Sequence, residues 1–274
     1  MNYRHAFHAG NFADVAKHLA LVSILDHLKR KSSAFVVIDS HAGRGLYDLA
    51  GAEAQRSGEA ARGIGRLCGL LGGPAVLQTY LGLVGGCGAN LYPGSPVIAA
   101  RMLRPVDRLV ALEKHPEDAA ALKAALAPFR RARVEGADGY ARTLALLPPP
   151  ERRGLILIDP PYEAPDEFAL VARTVTGIMR RFATGIVMVW FPVKSPAAAD
   201  ALCGEAIASG ARSLLRVDIE VESEASRLAR AGLLVANPPF GFAQEMREAL
   251  EFVAPRLGGA EPAKIDILPL LDKG

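Results

Sequence analysis

The sequence predicts a doubly wound α/β fold, on three observations. Four short apolar runs, Phe35–Ile38, Leu109–Leu112, Leu155–Ile158 and Gly185–Trp190, have the length and continuity of strands buried on both faces. Between them lie helical stretches such as Asp118–Phe129 and Phe168–Arg181, with apolar residues at three- and four-residue spacing. Three of the runs end in an acid, Asp39, Glu113 or Asp159, followed by loop chemistry. In an open α/β sheet the ligand crevice lies beyond such carboxyl ends.

Taken in order, residues 1–31 form an N-terminal arm and a helix from about Ala13 to Arg30, closing on the basic Lys29-Arg30-Lys31. The first strand runs into Asp39-Ser40-His41-Ala42-Gly43-Arg44-Gly45, where two glycines allow a tight turn and close approach to a ligand. The interval to Leu109 is far longer than a crossover helix needs and is crowded with glycine, so 48–93 reads as an inserted helical subdomain. After it, Ser95 is placed to cap a helix that has Pro96 at its first position. Then come the Glu113 strand end, a further strand-end turn at Asp138-Gly139, the Asp159 strand and the Trp190 strand. The whole of 1–274 is expected to be one domain.

Composition narrows the class. Half of the 274 residues are hydrophobic and 22% are charged, which excludes disordered and fibrous chains. The net charge of +3 means that any nucleic-acid surface must be a local patch. Cys68, Cys87 and Cys203 fit neither a disulfide framework nor a paired-thiolate zinc site. The apolar stretch Leu19–Leu25 is too short to span a bilayer, so a cytoplasmic location is expected. His5 and His8 have no third ligand at matching spacing, so no metal is expected.

The chemistry gathers at the strand ends. Asp39 with Gly43 and Gly45 suits a small-molecule turn, but no Gly-Lys-Ser/Thr follows to make a phosphate loop, and the third dinucleotide glycine is missing. Glu113 stands where a carboxylate grips ribose hydroxyls, and Asp138 suits an adenine amino group. At Asp159-Pro160-Pro161-Tyr162, the carboxylate and the Pro160 carbonyl offer two acceptors held by rigid prolines. An aromatic amine is a poor nucleophile because its lone pair is delocalised, and such acceptors draw its hydrogens and favour a tetrahedral nitrogen. Tyr162 offers a face on which an extruded base can stack. A second copy, Asn237-Pro238-Pro239-Phe240 after Leu233–Ala236, fits the same loose pattern but falls late in the strand succession. Tyr3, Arg4, His5, Phe7 and His8 mix cations with aromatics as RNA-contacting segments do, and Arg130, Arg131, Arg133, Arg152 and Arg153 are candidates for phosphate.

Together these residues resemble the RlmJ family of bacterial ribosomal RNA methyltransferases, which methylate an adenine at N6 in 23S rRNA. The resemblance runs over nearly the whole chain, through Tyr3–His18, Asp39–Tyr47, Tyr92–Pro96, Arg153–Glu163 and Arg181–Gly185. It implies a Rossmann-like S-adenosylmethionine-dependent methyltransferase sheet with a small inserted helical subdomain, acting on 23S rRNA; a monomer is expected. It also implies that Lys17, His18, His41 and Ser95 contact the methionine part of the cofactor, Glu113 its ribose, and Asp138 with Gly139 its adenine. Asp159 would accept hydrogen bonds from the target amine, and Tyr3 would touch RNA. Guanine-N2 methylation uses a similar loop and stays open from the residues alone. So do a non-catalytic nucleic-acid-binding protein on this fold and, more remotely, a nicotinamide dehydrogenase.

Overall fold

The computed structural model describes residues 5–222 and 228–273. The first long element, α1 (Phe12–Lys29), is capped by Asn11, whose side chain accepts the Asp14 N–H at 2.9 Å. Every residue from Phe12 to Leu25 is buried, because α1 lies beneath the sheet with helices on its other sides. The chain then runs through β1 (Val36–Asp39), β2 (Leu46–Asp48), α2 (Ala52–Ser57), α3 (Glu59–Arg62), α4 (Ala75–Gly85), β3 (Leu91–Pro93) and α5 (Ser95–Met102). It continues as β4 (Arg108–Leu112), α6 (Pro116–Leu126), β5 (Ala132–Glu135), α7 (Gly139–Ala145), β6 (Gly154–Ile158), α8 (Glu167–Arg181) and β7 (Ile186–Pro192). Last come α9 (Pro196–Ile207), β8 (Ser213–Glu220), β9 (Arg230–Ala236), α10 (Phe242–Leu257) and β10 (Lys264–Asp272).

The main sheet has the order β10-β8-β9-β7-β6-β1-β4-β5. From β5 to β7 every pairing is parallel, with Val37 beside both Leu109 and Leu155. β9 then runs antiparallel between β7 and β8, and β10 closes the edge antiparallel to β8. Alternate strand residues feed two cores. Val37, Leu109 and Leu155 pack beneath α1, α4, α5 and α10, while Val36, Val110 and Ile156 pack with α8 and α9 on the opposite face. This is the doubly wound α/β architecture expected from the apolar runs.

The short ladder of β2 with β3, pairing Leu46 with Pro93 and Asp48 with Leu91, brings the two ends of the long interval together. Ile64, Leu67, Leu77 and Tyr80 of that interval are buried in the same apolar cluster as α1. Ser95 is not the cap of α5. Gly94 takes that place without a side-chain hydrogen bond, and the Ser95 hydroxyl turns instead to Asp39 Oδ2 at 2.7 Å. β8 and β10 were not expected. β8 carries the buried polar Arg216 and Asp218 among its apolar residues, and the edge strand β10 is half exposed and broken by an irregularity between Pro269 and Leu271.

Candidate active site

Because β1 and β6 are parallel neighbours, their carboxyl ends place Asp39 and Asp159 side by side over α1. Asp159 Oδ2 accepts a hydrogen bond from Lys17 Nζ at 2.5 Å. The same ammonium lies 2.7 Å from Asp14 Oδ1, one helical turn back on α1. Asp14 Oδ2 accepts the Gly10 N–H at 2.9 Å and lies 3.1 Å from His5 Nε2. Burial disfavours the Lys17 ammonium, yet the charges of Asp14 and Asp159 outweigh it and hold the pKa well above that of an ordinary lysine. Burial also opposes the Asp14 carboxylate, but Lys17 and His5 outweigh it and keep that group well below the usual range. Sequence reasoning missed Asp14, whose place one turn before Lys17 was the available signal.

The neighbouring strand ends form a line of acceptors. Burial pushes the Asp39 carboxyl up to about 7, against the hydrogen bond from Ser95. Asp39 Oδ1 is buried with no partner among the described residues, so it can take a donor from a ligand. Glu113 Oε2 accepts the Gly43 N–H at 2.9 Å and Oε1 the His115 N–H at 2.7 Å. Each of its oxygens keeps a second acceptor position. Gly43 at φ 60° and Gly45 at φ 78° make the turn that this carboxylate holds. Asp138 caps α7 through the Ala141 N–H at 3.1 Å, and Lys114 lies 3.3 Å from its other oxygen. A side chain at Gly139 would strike the Ser40 carbonyl, so the first and third strand-end loops touch there only because of the glycine. These features fit a nucleoside carrying an amino-acid chain: one unpaired buried acceptor, a carboxylate over a glycine turn, and closely approached backbone.

The histidines predicted beside them are neutral, His18 buried and His41 half-buried. His18 Nδ1 pairs with the Tyr92 hydroxyl at 2.7 Å, which in turn lies 2.9 Å from the Tyr80 hydroxyl. Burial lowers the His18 pKa to about 3, and its Nε2 has no partner among the described residues. His41 Nδ1 meets Ser40 Oγ at 2.7 Å, its ring edge packs on Tyr140, and burial lowers its pKa to about 4. Tyr140 donates to Glu167 Oε1 at 2.6 Å, and Glu167 Oε2 accepts the Ala164 N–H at 3.3 Å. This tie between the Asp138 turn and the loop after Asp159 was not legible in the sequence.

Tyr162 has φ 51°, a conformation costly for a residue with a side chain and held here by its surroundings. Its hydroxyl donates to the Trp190 carbonyl at 2.8 Å, and its ring packs 4.7 Å from Phe168 and 5.9 Å from Trp190. Pro160 is buried behind it. Tyr3 and Arg4 lie outside the described residues. His5 is engaged with Asp14 and Tyr47, and His8 with Glu59, so both rings are tied to the protein. Arg153 bonds the Ser33 and Leu28 carbonyls and lies over Phe35, a structural role in place of the phosphate contact considered for it. No cluster of three or more candidate metal ligands occurs among the described residues, and no helix among them is long and apolar enough to cross a membrane.

The rival Asn237 loop lies at the other end of the strands from Asp159. β9 is only two strands from β6, closer than its late place in the sequence suggested, but it runs antiparallel. Ala236 pairs with Val187 at the start of β7, so Asn237 emerges at the opposite edge of the sheet from Asp159. There its side chain donates to the Ala183 and Gly185 carbonyls at 2.9 and 2.8 Å and accepts the Arg212 N–H at 3.2 Å.

Five parallel strands, a reversed strand inside the far edge, and acceptors along the carboxyl ends beside an Asp-Pro-Pro-Tyr loop define a Rossmann-like S-adenosylmethionine-dependent methyltransferase. Residues 32–265 match the family described as Ribosomal RNA large subunit methyltransferase D, RlmJ, and the chain belongs to that family. It is 39% identical over 263 residues to Ribosomal RNA large subunit methyltransferase J of Escherichia coli (strain K12), covering 94% of each chain. The protein of the same name from Haemophilus influenzae is 37% identical over 264 residues, again with 94% of each covered. A crystal structure of a Legionella pneumophila protein superposes with a TM-score of 0.88 at 30% identity, covering 96% of this chain and 98% of that one.

Proposed function

We propose that the protein transfers the methyl group of S-adenosylmethionine to the exocyclic N6 amine of an adenine in 23S ribosomal RNA. The observation that carries this reading is the Asp159-Pro160-Pro161-Tyr162 loop, held at a parallel strand end by Lys17 beside the Asp39 turn. The relatives named as ribosomal RNA large subunit methyltransferases support the substrate.

When bound, S-adenosylmethionine supplies an electrophilic methyl group. Lys17, His18, Asp39, His41 and Ser95 hold its methionine part, Gly43, Gly45 and Glu113 its ribose side, and Asp138 with Gly139 its adenine. Asp159 and the Pro160 carbonyl accept the two amine hydrogens, which directs the nitrogen lone pair at the methyl group. Lys17 orients the Asp159 carboxylate through Oδ2. Tyr162 stacks on the base taken out of its helix. Positioning and hydrogen-bond acceptance suffice, the proton lost by the methylated nitrogen leaving through its hydrogen bond to the Asp159 carboxylate and on to water, and no covalent enzyme intermediate is needed. The arm residues Tyr3, Arg4 and His5 contact the RNA, His5 by exchanging its bond to Asp14. The protein acts as a cytoplasmic monomer, one domain over 1–274 with 48–93 as its inserted helical subdomain.

The test is methyl transfer to unmodified 23S rRNA followed by nucleoside mass spectrometry. N6-methyladenosine is expected. A methylated guanosine, or no transfer with cofactor bound, overturns the reading.

A further inference from the structure

The Asn237-Pro238-Pro239-Phe240 loop has no place in methyl transfer, yet it is built to a purpose. Asn237 sits at φ 53°, which asparagine tolerates better than most residues, and its side chain is fastened to Ala183, Gly185 and Arg212. Two prolines follow, and the Phe242 N–H closes a turn onto the Pro239 carbonyl at 3.1 Å. At the apex of that stiff turn Phe240 is 97% exposed. The hydrogen bonds of Asn237 gather three segments around it: the end of α8, the start of β8 and the loop itself. Arg180 and Arg181 are exposed on the first, Arg212 on the second, and Lys273 adjoins through its N–H to the Arg212 carbonyl. The charged ends of Arg180, Arg212 and Lys273 have no hydrogen-bond or ion-pair partner among the described residues, and Arg181 reaches only the Gly177 carbonyl of its own helix. Asp272, beside Lys273, is the acid nearest in the chain.

We propose that this edge is a second RNA-binding surface, where an unpaired base stacks on Phe240 and the flanking phosphates meet Arg180, Arg212 and Lys273. One aromatic ring among free cations is the pattern of a single-strand platform, since every base has a face to stack and the backbone supplies the negative charge. A protein partner would need a far wider apolar patch than one phenylalanine with its prolines. β7, whose seven residues separate the two edges, spans roughly 20 Å at about 3.3 Å per residue. A ribosomal RNA long enough to wrap the sheet can therefore touch both edges, whereas a short fragment held at Asp159 cannot.

The inference rests on the rRNA reading above, and its test separates the two. Wild type, Phe240→Ala and the double variant Arg180→Ala/Arg212→Ala are titrated with a long unmodified 23S rRNA transcript and with a short methylatable fragment, at several KCl concentrations. Circular dichroism and cofactor binding serve as checks of folding. Loss of the stacked base should weaken binding of the long transcript about 5- to 150-fold in Phe240→Ala. The double variant should lower the slope of log K against log salt by about 1.4, at roughly 0.7 per single-strand phosphate contact. Binding of the short fragment, and methyl transfer to it, should match wild type. Unchanged affinity and slope for the long transcript overturn the second surface while leaving the methyltransferase standing. A concentration-dependent change in sedimentation of Phe240→Ala without RNA overturns it in favour of a surface between copies of the chain. If wild type transfers no methyl group to either RNA, the functional reading falls and this inference with it.

Discussion

Exchanging the first residue of each Pro-Pro loop for alanine should produce opposite defects. Asp159→Ala removes an acceptor aimed at the reacting amine, and losing one preorganised group of this kind costs on the order of 10²–10³ in rate. It also strips Lys17 of one of its two carboxylates, but Asp14 at 2.7 Å remains, so the ammonium is not left unpaired and the fold should hold. Asn237→Ala loses three hydrogen bonds, each worth about 0.5–1.5 kcal/mol, and places alanine at φ 53°. With about 1 kcal/mol for that backbone conformation, destabilisation of about 2.5–5.5 kcal/mol is expected. The assay is single-turnover methyl transfer at saturating cofactor and RNA, run well below the melting temperature of the weaker variant, together with thermal unfolding. Asp159→Ala should melt near wild type and react slowly. Asn237→Ala should melt lower and react within a few-fold of wild type. A folded Asn237→Ala protein that has lost transfer, or an Asp159→Ala protein that keeps it, refutes the assignment of the catalytic edge.

Tyr162→Phe keeps the ring against Phe168 and Trp190 but loses the bond to the Trp190 carbonyl, so it should cost about 0.5–1.5 kcal/mol in unfolding free energy and little in rate. Tyr162→Ala should lose base stacking of about 1–3 kcal/mol, read as a raised KM for RNA. Gly139→Ala drives a methyl group into the Ser40 carbonyl and should part the two cofactor loops, weakening S-adenosylmethionine binding at least tenfold by calorimetry while the protein stays folded. Acidification should destabilise the ligand-free protein. His18 and His41, lowered to about 3 and 4, stay neutral when folded and charge near 6.5 when unfolded, so their contribution is lost as pH falls below 6.5. Asp39, raised to about 7, acts in the opposite sense, because the folded carboxyl keeps a proton the unfolded chain gives up until pH nears 4. Between pH 6 and 5 these three groups leave a net loss of about 1.1 kcal/mol per pH unit, and Asp39→Asn should roughly double that slope in denaturant titrations.

The sequence by itself determined the class of fold and the edge-forming acids. A buried strand is an unbroken local run, and an acid or glycine at its end is visible from a few neighbouring residues; β1, β4, β6 and β7 and the turns at Asp39, Glu113 and Asp159 were legible for that reason. Tertiary structure decided whatever depends on the direction of a strand or on residues far apart in the chain. Leu233–Ala236 reads as a strand in either direction, and only its antiparallel pairing with β7 carries Asn237 away from Asp159. The Lys17–Asp159 bond joins residues 142 positions apart, and nothing local to either marks the other. Ser95 had a sound local reason to cap α5, but a buried Asp39 carboxylate needed a donor more than the helix end did. Local patterns specify which segments become helix or strand, whereas the pairing of buried charges is specified only once packing has removed water from around them.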